Sequence, residues 1–258
     1  MEYSKNEEFL QKAEVAFREI FAKAKEIDEL HFAFSLAPEF RPYTVNTALD
    51  AQNAFRDYCD FLQNNKKSPI HTRIALALYS HIAEASGFWE VLKNMLCVID
   101  GKKYNMIPFY DLVRNYGDKE NSISPNANKV MRSLMKYSKK MSFHDLADVF
   151  KDAFDSELRN GYAHADYALL KKGICVGSRY KKERIIEWPE LNTLLDKAIN
   201  FYMVFRSVLS ENLNKYSSPK IVKGHLNENE PEGTWRIHYK PDGILCIEGG
   251  VDNKFPMT

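Results

Sequence analysis

The chain contains little that would point to an exported or membrane protein. Its four cysteines, Cys59, Cys97, Cys175 and Cys246, lie far apart and form no C-x-x-C pair. Isolated cysteines in a chain of 258 residues read as reduced, mostly buried thiols, although spacing alone leaves pairwise bridges open. No run of 18 or more apolar residues exists, so no membrane span is expected. The first residues, MEYSKNEEFLQKAEVAF, are acidic and lack the apolar segment of a signal peptide. The expected location is cytoplasmic. An excess of one charge is also missing, since the net charge is only +1, and the chain as a whole is no obvious ligand for polyanions. There is no H-E-x-x-H, G-x-S-x-G or G-x-x-x-x-G-K, and no clustering of metal-ligating side chains. Neither a metal nor any other cofactor is expected.

What is present is ordinary globular material, 45% hydrophobic and 28% charged, enough for one sizeable domain with or without an appendage. Helical periodicity dominates to about residue 215. Ser4 and Glu7 form a capping-box pattern ahead of a stripe at Phe9, Ala13, Phe17, Ile20, Phe21 and Ala24. Pro38 and Pro42 interrupt it. A second helix is predicted from about Thr44 to Asn64, with Val45, Leu49, Phe55, Tyr58 and Phe61 or Leu62 on its apolar face. Ser68 and Pro69 signal the start of a third. Its stripe, Ile74, Leu78, Ile82, Ala85, Trp89, Leu92 and Leu96, predicts one long central helix. Ser124-Pro125 repeats the start signal. Ser142 with Asp145 opens a helix whose stripe, Phe143, Leu146, Phe150, Phe154 and Leu158, runs straight into RNGYAH. The segment YALLKKGICVGSRYKKERIIEW then reads as a hairpin. A long helix follows, with Leu191, Leu195, Ala198, Tyr202, Phe205 and Leu209 on its stripe. After the polar linker NENEPEG, TWRIHYKPDGILCIEGG is a second hairpin pattern turning at Pro-Asp-Gly. The expected fold is mainly α: a bundle of about six helices with a small inserted β-hairpin and a C-terminal β-hairpin appendage. The expected boundaries are 1–216 for the helical domain, with a helical extension at 1–43, and 217–258 for linker and appendage.

The chemistry-bearing stretch is SELRNGYAHADY, residues 156–167. Asn160 and His164 are four apart and share a helix face. Arg159 and His164 are five apart, about 140° around an ideal helix, and would not touch along one. Gly161 costs about 1 kcal/mol against alanine in a helix. It therefore marks a helix end or the close approach of another backbone. Arginine offers a donor fork that matches phosphate oxygens. Histidine suits proton transfer near neutral pH. An asparagine can orient the imidazole or hold a substrate oxygen. RNA carries its own nucleophile, the 2′-hydroxyl. A base, an acid and a cation on the phosphate would complete the set. The plainer alternative is that Arg159 and Asn160 cap a helix C-terminus and His164 is a half-buried histidine.

RNGYAH resembles the R-N-x-x-x-H signature of the HEPN superfamily (higher eukaryotes and prokaryotes nucleotide-binding domains), and the trailing ADY is similar to what often follows it. The resemblance implies a helical domain that pairs into a homodimer. In the active families two copies of the motif face each other and cut RNA without metal. By the motif, Arg159 and His164 carry over as the catalytic pair and Asn160 as their polar partner. It also implies the toxin or antiviral-defence classes, with a cognate inhibitor or antitoxin as a further expected partner. Two alternatives stay open: a non-catalytic HEPN module binding nucleotide, RNA or a protein, and a helical interaction protein in which RNGYAH is structural.

Charge distribution favours nucleic acid near the motif. Seven basic residues, Arg159, Lys171, Lys172, Arg179, Lys181, Lys182 and Arg184, stand against Asp166 and Glu183 between positions 159 and 184. Residues 1–30 are net acidic. Lysines guarding an edge strand would give the same pattern. Asp166 and Tyr167 are candidates for contacting substrate. His81 and Glu84, three apart on the central helix, are candidates for a supporting network that reaches the site.

Overall fold

The computed structural model describes residues 5–37, 47–115, 122–178 and 181–249. Ser4, Pro38, Pro42, Thr44, Val45 and Arg179 lie outside the described residues, as do the side chains of Leu49 and Lys181. The helices are α1 (Lys5–Ile27), α2 (Glu29–Leu36), α3 (Thr47–Asn64), α4 (Pro69–Glu84), α5 (Ser86–Ile99), α6 (Ala127–Lys140), α7 (His144–Ala153), α8 (Ser156–Ala163) and α9 (Trp188–Asn214). A two-residue ladder joins β1 (Arg114–Asn115) to β2 (Ser122–Ile123). The remaining strands, β3 (Tyr167–Leu170), β4 (Gly173–Ser178), β5 (Lys181–Glu187), β6 (Lys220–Gly224), β7 (Gly233–Tyr239) and β8 (Leu245–Gly249), form two antiparallel three-stranded sheets in the orders β3-β4-β5 and β6-β7-β8. No described helix is long and apolar enough to cross a membrane.

The fold is mainly α, but the expected six-helix count and both hairpins need correction. Two predicted helices are broken. The stripe from Ile74 to Leu96 belongs to α4 and α5, which part at Ala85 (φ −69°, ψ 68°), just before Ser86 and Gly87, two weak helix formers. The stripe from Phe143 to Leu158 is divided at Phe154, which is extended, and Asp155, whose carboxylate accepts the N–H groups of Glu157 and Leu158 and restarts the helix. The inserted hairpin is a three-stranded sheet because the run YALL pairs with β4 as a third strand. The C-terminal hairpin likewise gains β6, whose buried side is Val222 alone and therefore shows no period in the sequence.

Ser142 does not open α7. It lies in the left-handed region (φ 66°) and closes α6: its N–H reaches Lys139 O at 3.1 Å, and that of Phe143 reaches Ser138 O at 2.9 Å. The α6 start also moves, to Asn126, whose side chain caps Lys129 N–H.

Two apolar clusters hold the elements. The larger is rich in aromatic rings, with Phe17, Phe21, Phe88, Trp89, Phe150, Phe201 and Phe205 buried between α1, α5, α7 and α9. Each such ring contributes about 1.5–3 kcal/mol by leaving water. Val222 and Ile237 of the C-terminal sheet join this cluster. That sheet is also tied to α2 by polar contacts. His31, 1% exposed, accepts Tyr104 N–H on Nδ1 and donates from Nε2 to His225 O, both at 2.9 Å. Lys220 pairs with Glu29 at 2.6 Å. The smaller cluster positions the motif: Leu76 and Tyr79 of α4, Leu158 of α8, Ile174 and Val176 of β4, Ile186 of β5, and Leu191 and Ala198 of α9.

Candidate functional site

The helix α8 carrying the motif is only two turns long and is pinned at both ends. At its start Asp155 is a junction. Its N–H donates to the Tyr79 hydroxyl at 2.6 Å, and its carboxylate caps the helix and takes Arg184 at 2.7 Å. At its end His164 is the C-cap. Ala165 is left-handed (φ 56°) and donates to Tyr162 O at 3.1 Å, while Asp166 N–H returns to Gly161 O at 2.8 Å. These two bonds form a Schellman closure, here with alanine where glycine is usual. Gly161 faces β4: a Cβ there would meet Val176 Cβ and Cγ1 at 3.1 Å. The glycine is thus a close approach of helix to strand. Asp166 O accepts Gly177 N–H at 3.2 Å beside a strand irregularity between Val176 and Ser178, which ties the central strand β4 to the helix end.

These elements enclose a cleft of about 230 Å³ lined by Arg132, Ser156, Glu157, Asn160, Gly161, His164, Asp166, Val176, Gly177 and Lys182. His164 is exposed in it, and its ring makes no hydrogen bond to a described residue. Asn160 is held from behind: its Oδ1 accepts Asn128 Nδ2 at 2.9 Å and an Arg159 guanidinium nitrogen at 3.0 Å. Its amide nitrogen is left as the donor for the cleft. Arg159 itself does not line the cleft. Its side chain is 11% exposed, pairs with Glu84 of α4 and leaves Nε without a partner. Burial lowers the Arg159 pKa from its ordinary value.

The structure therefore brings Asn160, His164, Asp166 and Lys182 into one cleft and sets Arg159 behind it. Glu84 reaches Arg159, but His81 turns away, with Nε2 on Ala51 O at 2.9 Å and its ring against Tyr58. Tyr167 begins β3 and stacks loosely on Tyr162, ring centroids 5.6 Å apart. Lys171 and Lys172 are exposed in the β3–β4 turn, away from the cleft, and their carbonyls anchor Trp188. Arg184 is occupied by Asp155, Glu157 and Glu190, which raise its pKa. Sequence reading missed Asn128 and Arg132. They lie one turn apart on α6, away from Val130 and Leu134, and only the packing of α6 beside α8 gives that polar face a role.

Comparison with family models, with curated proteins and with solved structures returned no match.

Proposed function

We propose that the chain is a HEPN-type endoribonuclease that cuts RNA through attack of the 2′-hydroxyl on the adjacent phosphate. The observation that carries this reading is the setting of His164. It stands exposed at a helix end, its ring uncommitted, in a cleft that also offers an amide donor and cations. A proton-transfer group must reach the substrate and keep both ring nitrogens available. In this reading His164 moves protons and Asn160 holds a ribose or phosphate oxygen, while Arg159 fixes Asn160. The cleft is smaller than the ~300–1,000 Å³ of a typical small-molecule site and holds one histidine, whereas the reaction needs an acid and a base. A two-fold pair of chains supplies the second histidine. Through the family resemblance the reading extends to a toxin or antiviral-defence effector with a cognate inhibitor.

A second reading, a HEPN module that binds nucleotide, RNA or a protein without cutting, is favoured by one observation: the Arg159 guanidinium is engaged by Glu84 rather than open to the cleft. Incubation with RNA in EDTA separates the two. The first reading expects fragments ending in 2′,3′-cyclic phosphate and 5′-hydroxyl, with DNA uncut. It expects His164→Ala to lose about 10²–10⁴-fold in rate. Full activity in that variant, or none in EDTA, refutes it. Light scattering that shows only monomer with and without RNA refutes the pairing.

A further inference from the structure

We infer that Arg132 of α6, assisted by Lys182 of β5, is the cation that binds phosphate in this cleft, and that the motif's own Arg159 is a positioning residue. This rests on reading the cleft as a phosphodiester site. The cation that meets a phosphate must open onto the cleft and have donors to spare. Arg159 fails the first condition: it does not line the cleft, its terminal nitrogens are placed on Glu84 and on Asn160 Oδ1, and the Nε it leaves unpaired is buried. To turn outward it would abandon a carboxylate and leave Asn160 to Asn128 alone.

Arg132 meets both conditions. It lines the same cleft as His164, is exposed, and makes no ion pair or hydrogen bond to a described residue. One turn earlier on the same helix face, Asn128 donates to Asn160 Oδ1 at 2.9 Å. α6 itself is placed by packing on α5 and α7, this contact links it to α8, and Arg132 lines the same cleft as His164. Lys182 enters from β5, so three separate elements converge. Two carboxylates, Glu157 and Asp166, also line the cleft, and Glu157 is drawn toward Arg184 at 3.4 Å. The lining is formally balanced, so an anion would be recruited by the unengaged donors of Arg132 and Lys182. A guanidinium fork can take two non-bridging phosphate oxygens, and an ammonium can add a point charge.

The test uses the full chain, with inorganic phosphate as probe and the NMR signals of the His164 ring as readout. Phosphate should shift those signals in the wild type. Arg132→Gln should weaken binding about tenfold or more, the loss expected for a hydrogen bond to a charged group. Lys182→Gln should weaken it less. With a short oligoribonucleotide, Arg132→Gln should flatten the dependence of log affinity on log salt by about 0.7, one phosphate contact on a single strand. Arg159→Gln should leave that slope unchanged, which no loss of a phosphate contact could do. Wild-type phosphate affinity in Arg132→Gln, an unmoved His164 ring in the wild type, or a slope lost with Arg159 instead overturns the inference. If phosphate binds through Arg132 and RNA is not cut, this inference stands and the endoribonuclease reading falls. If RNA is cut at the wild-type rate by Arg132→Gln, the reverse holds.

Discussion

One methyl group at position 161 is a sharp probe of how the motif is built. In Gly161→Ala the new Cβ would lie 3.1 Å from two carbons of Val176 and 3.3 Å from Asp166 O. Comfortable carbon contacts are about 3.5–4.0 Å, so a neighbour must move. Val176 is 2% exposed and stiff at χ1. Asp166 O is held by Gly177 N–H. Alanine gains about 1 kcal/mol in helix propensity, while overpacking costs about 1–3 kcal/mol. With both neighbours pinned, the cost wins and the variant should lose up to about 2 kcal/mol. For a chain of this size that is a fall of up to about 8 °C in melting temperature. Val176→Ala destabilises by itself, but it removes one of the obstructing carbons, Cγ1, while the Cβ at 176 and Asp166 O remain. In that background Gly161→Ala should cost less than in the wild type, giving a coupling above about 0.5 kcal/mol between the sites. Urea denaturation of the four proteins at unchanged m measures it. A higher midpoint for Gly161→Ala alone, or simple additivity, would refute the helix-to-strand contact as the reason for this glycine.

Ala165→Gly should raise stability by about 0.5–1 kcal/mol. It relieves a left-handed alanine that costs about 1–2 kcal/mol and gives back about 0.4–1 kcal/mol to unfolded-chain freedom; a lower melting temperature would contradict the Schellman closure. Burial lowers the His31 pKa below its ordinary 6.5, so the unfolded chain takes up the proton first. The stability from neutral His31 is therefore complete above about pH 6.5 and lost as pH falls through the depressed value, and urea midpoints should drop more steeply with acid in the wild type than in His31→Gln. Arg184→Ala should cost about 1–3 kcal/mol in a thermal melt, because it unties Asp155, Glu157 and Glu190 together. Lys171→Ala and Lys172→Ala should stay within about 0.5 kcal/mol of the wild type.

The helix stripes were legible because burial on one face imposes a period that survives in the residues. Phe17, Leu78, Trp89, Phe150 and Phe205 were all on expected stripes and are all buried. The breaks were not legible from period alone. An apolar stripe continues across Ala85 and across Phe154 because both sides pack into the same interior. Asp155 carried the missing signal, an N-capping side chain followed by an acidic first turn. Within the motif, spacing separated Arg159 from His164 around the helix, and the structure keeps them on different sides of Asn160. Glu84 was already a candidate for a supporting network, but spacing could not say that it meets Arg159 while His81 turns to Ala51 O, nor that the polar face of α6 lines the cleft. Those contacts join positions distant in the chain, and no local pattern encodes them.

The packing of α1 along α9 sets a timetable for synthesis. Arg18 meets Glu211 at 2.6 Å, 193 residues further on, and Glu29 meets Tyr216 and Lys220. At about 5–20 residues per second, a ribosome needs about 10–40 s to deliver that partner. During this interval the apolar side of α1, with Phe17 and Phe21, has nothing from α9 to bury against. Closure of so long a loop makes the step slow even after release. The cleft gains its last lining residue, Lys182, only with β5. A growing chain therefore carries the motif before it carries the whole site, and until α9 arrives α1 has only α2, α5 and α7 to pack on.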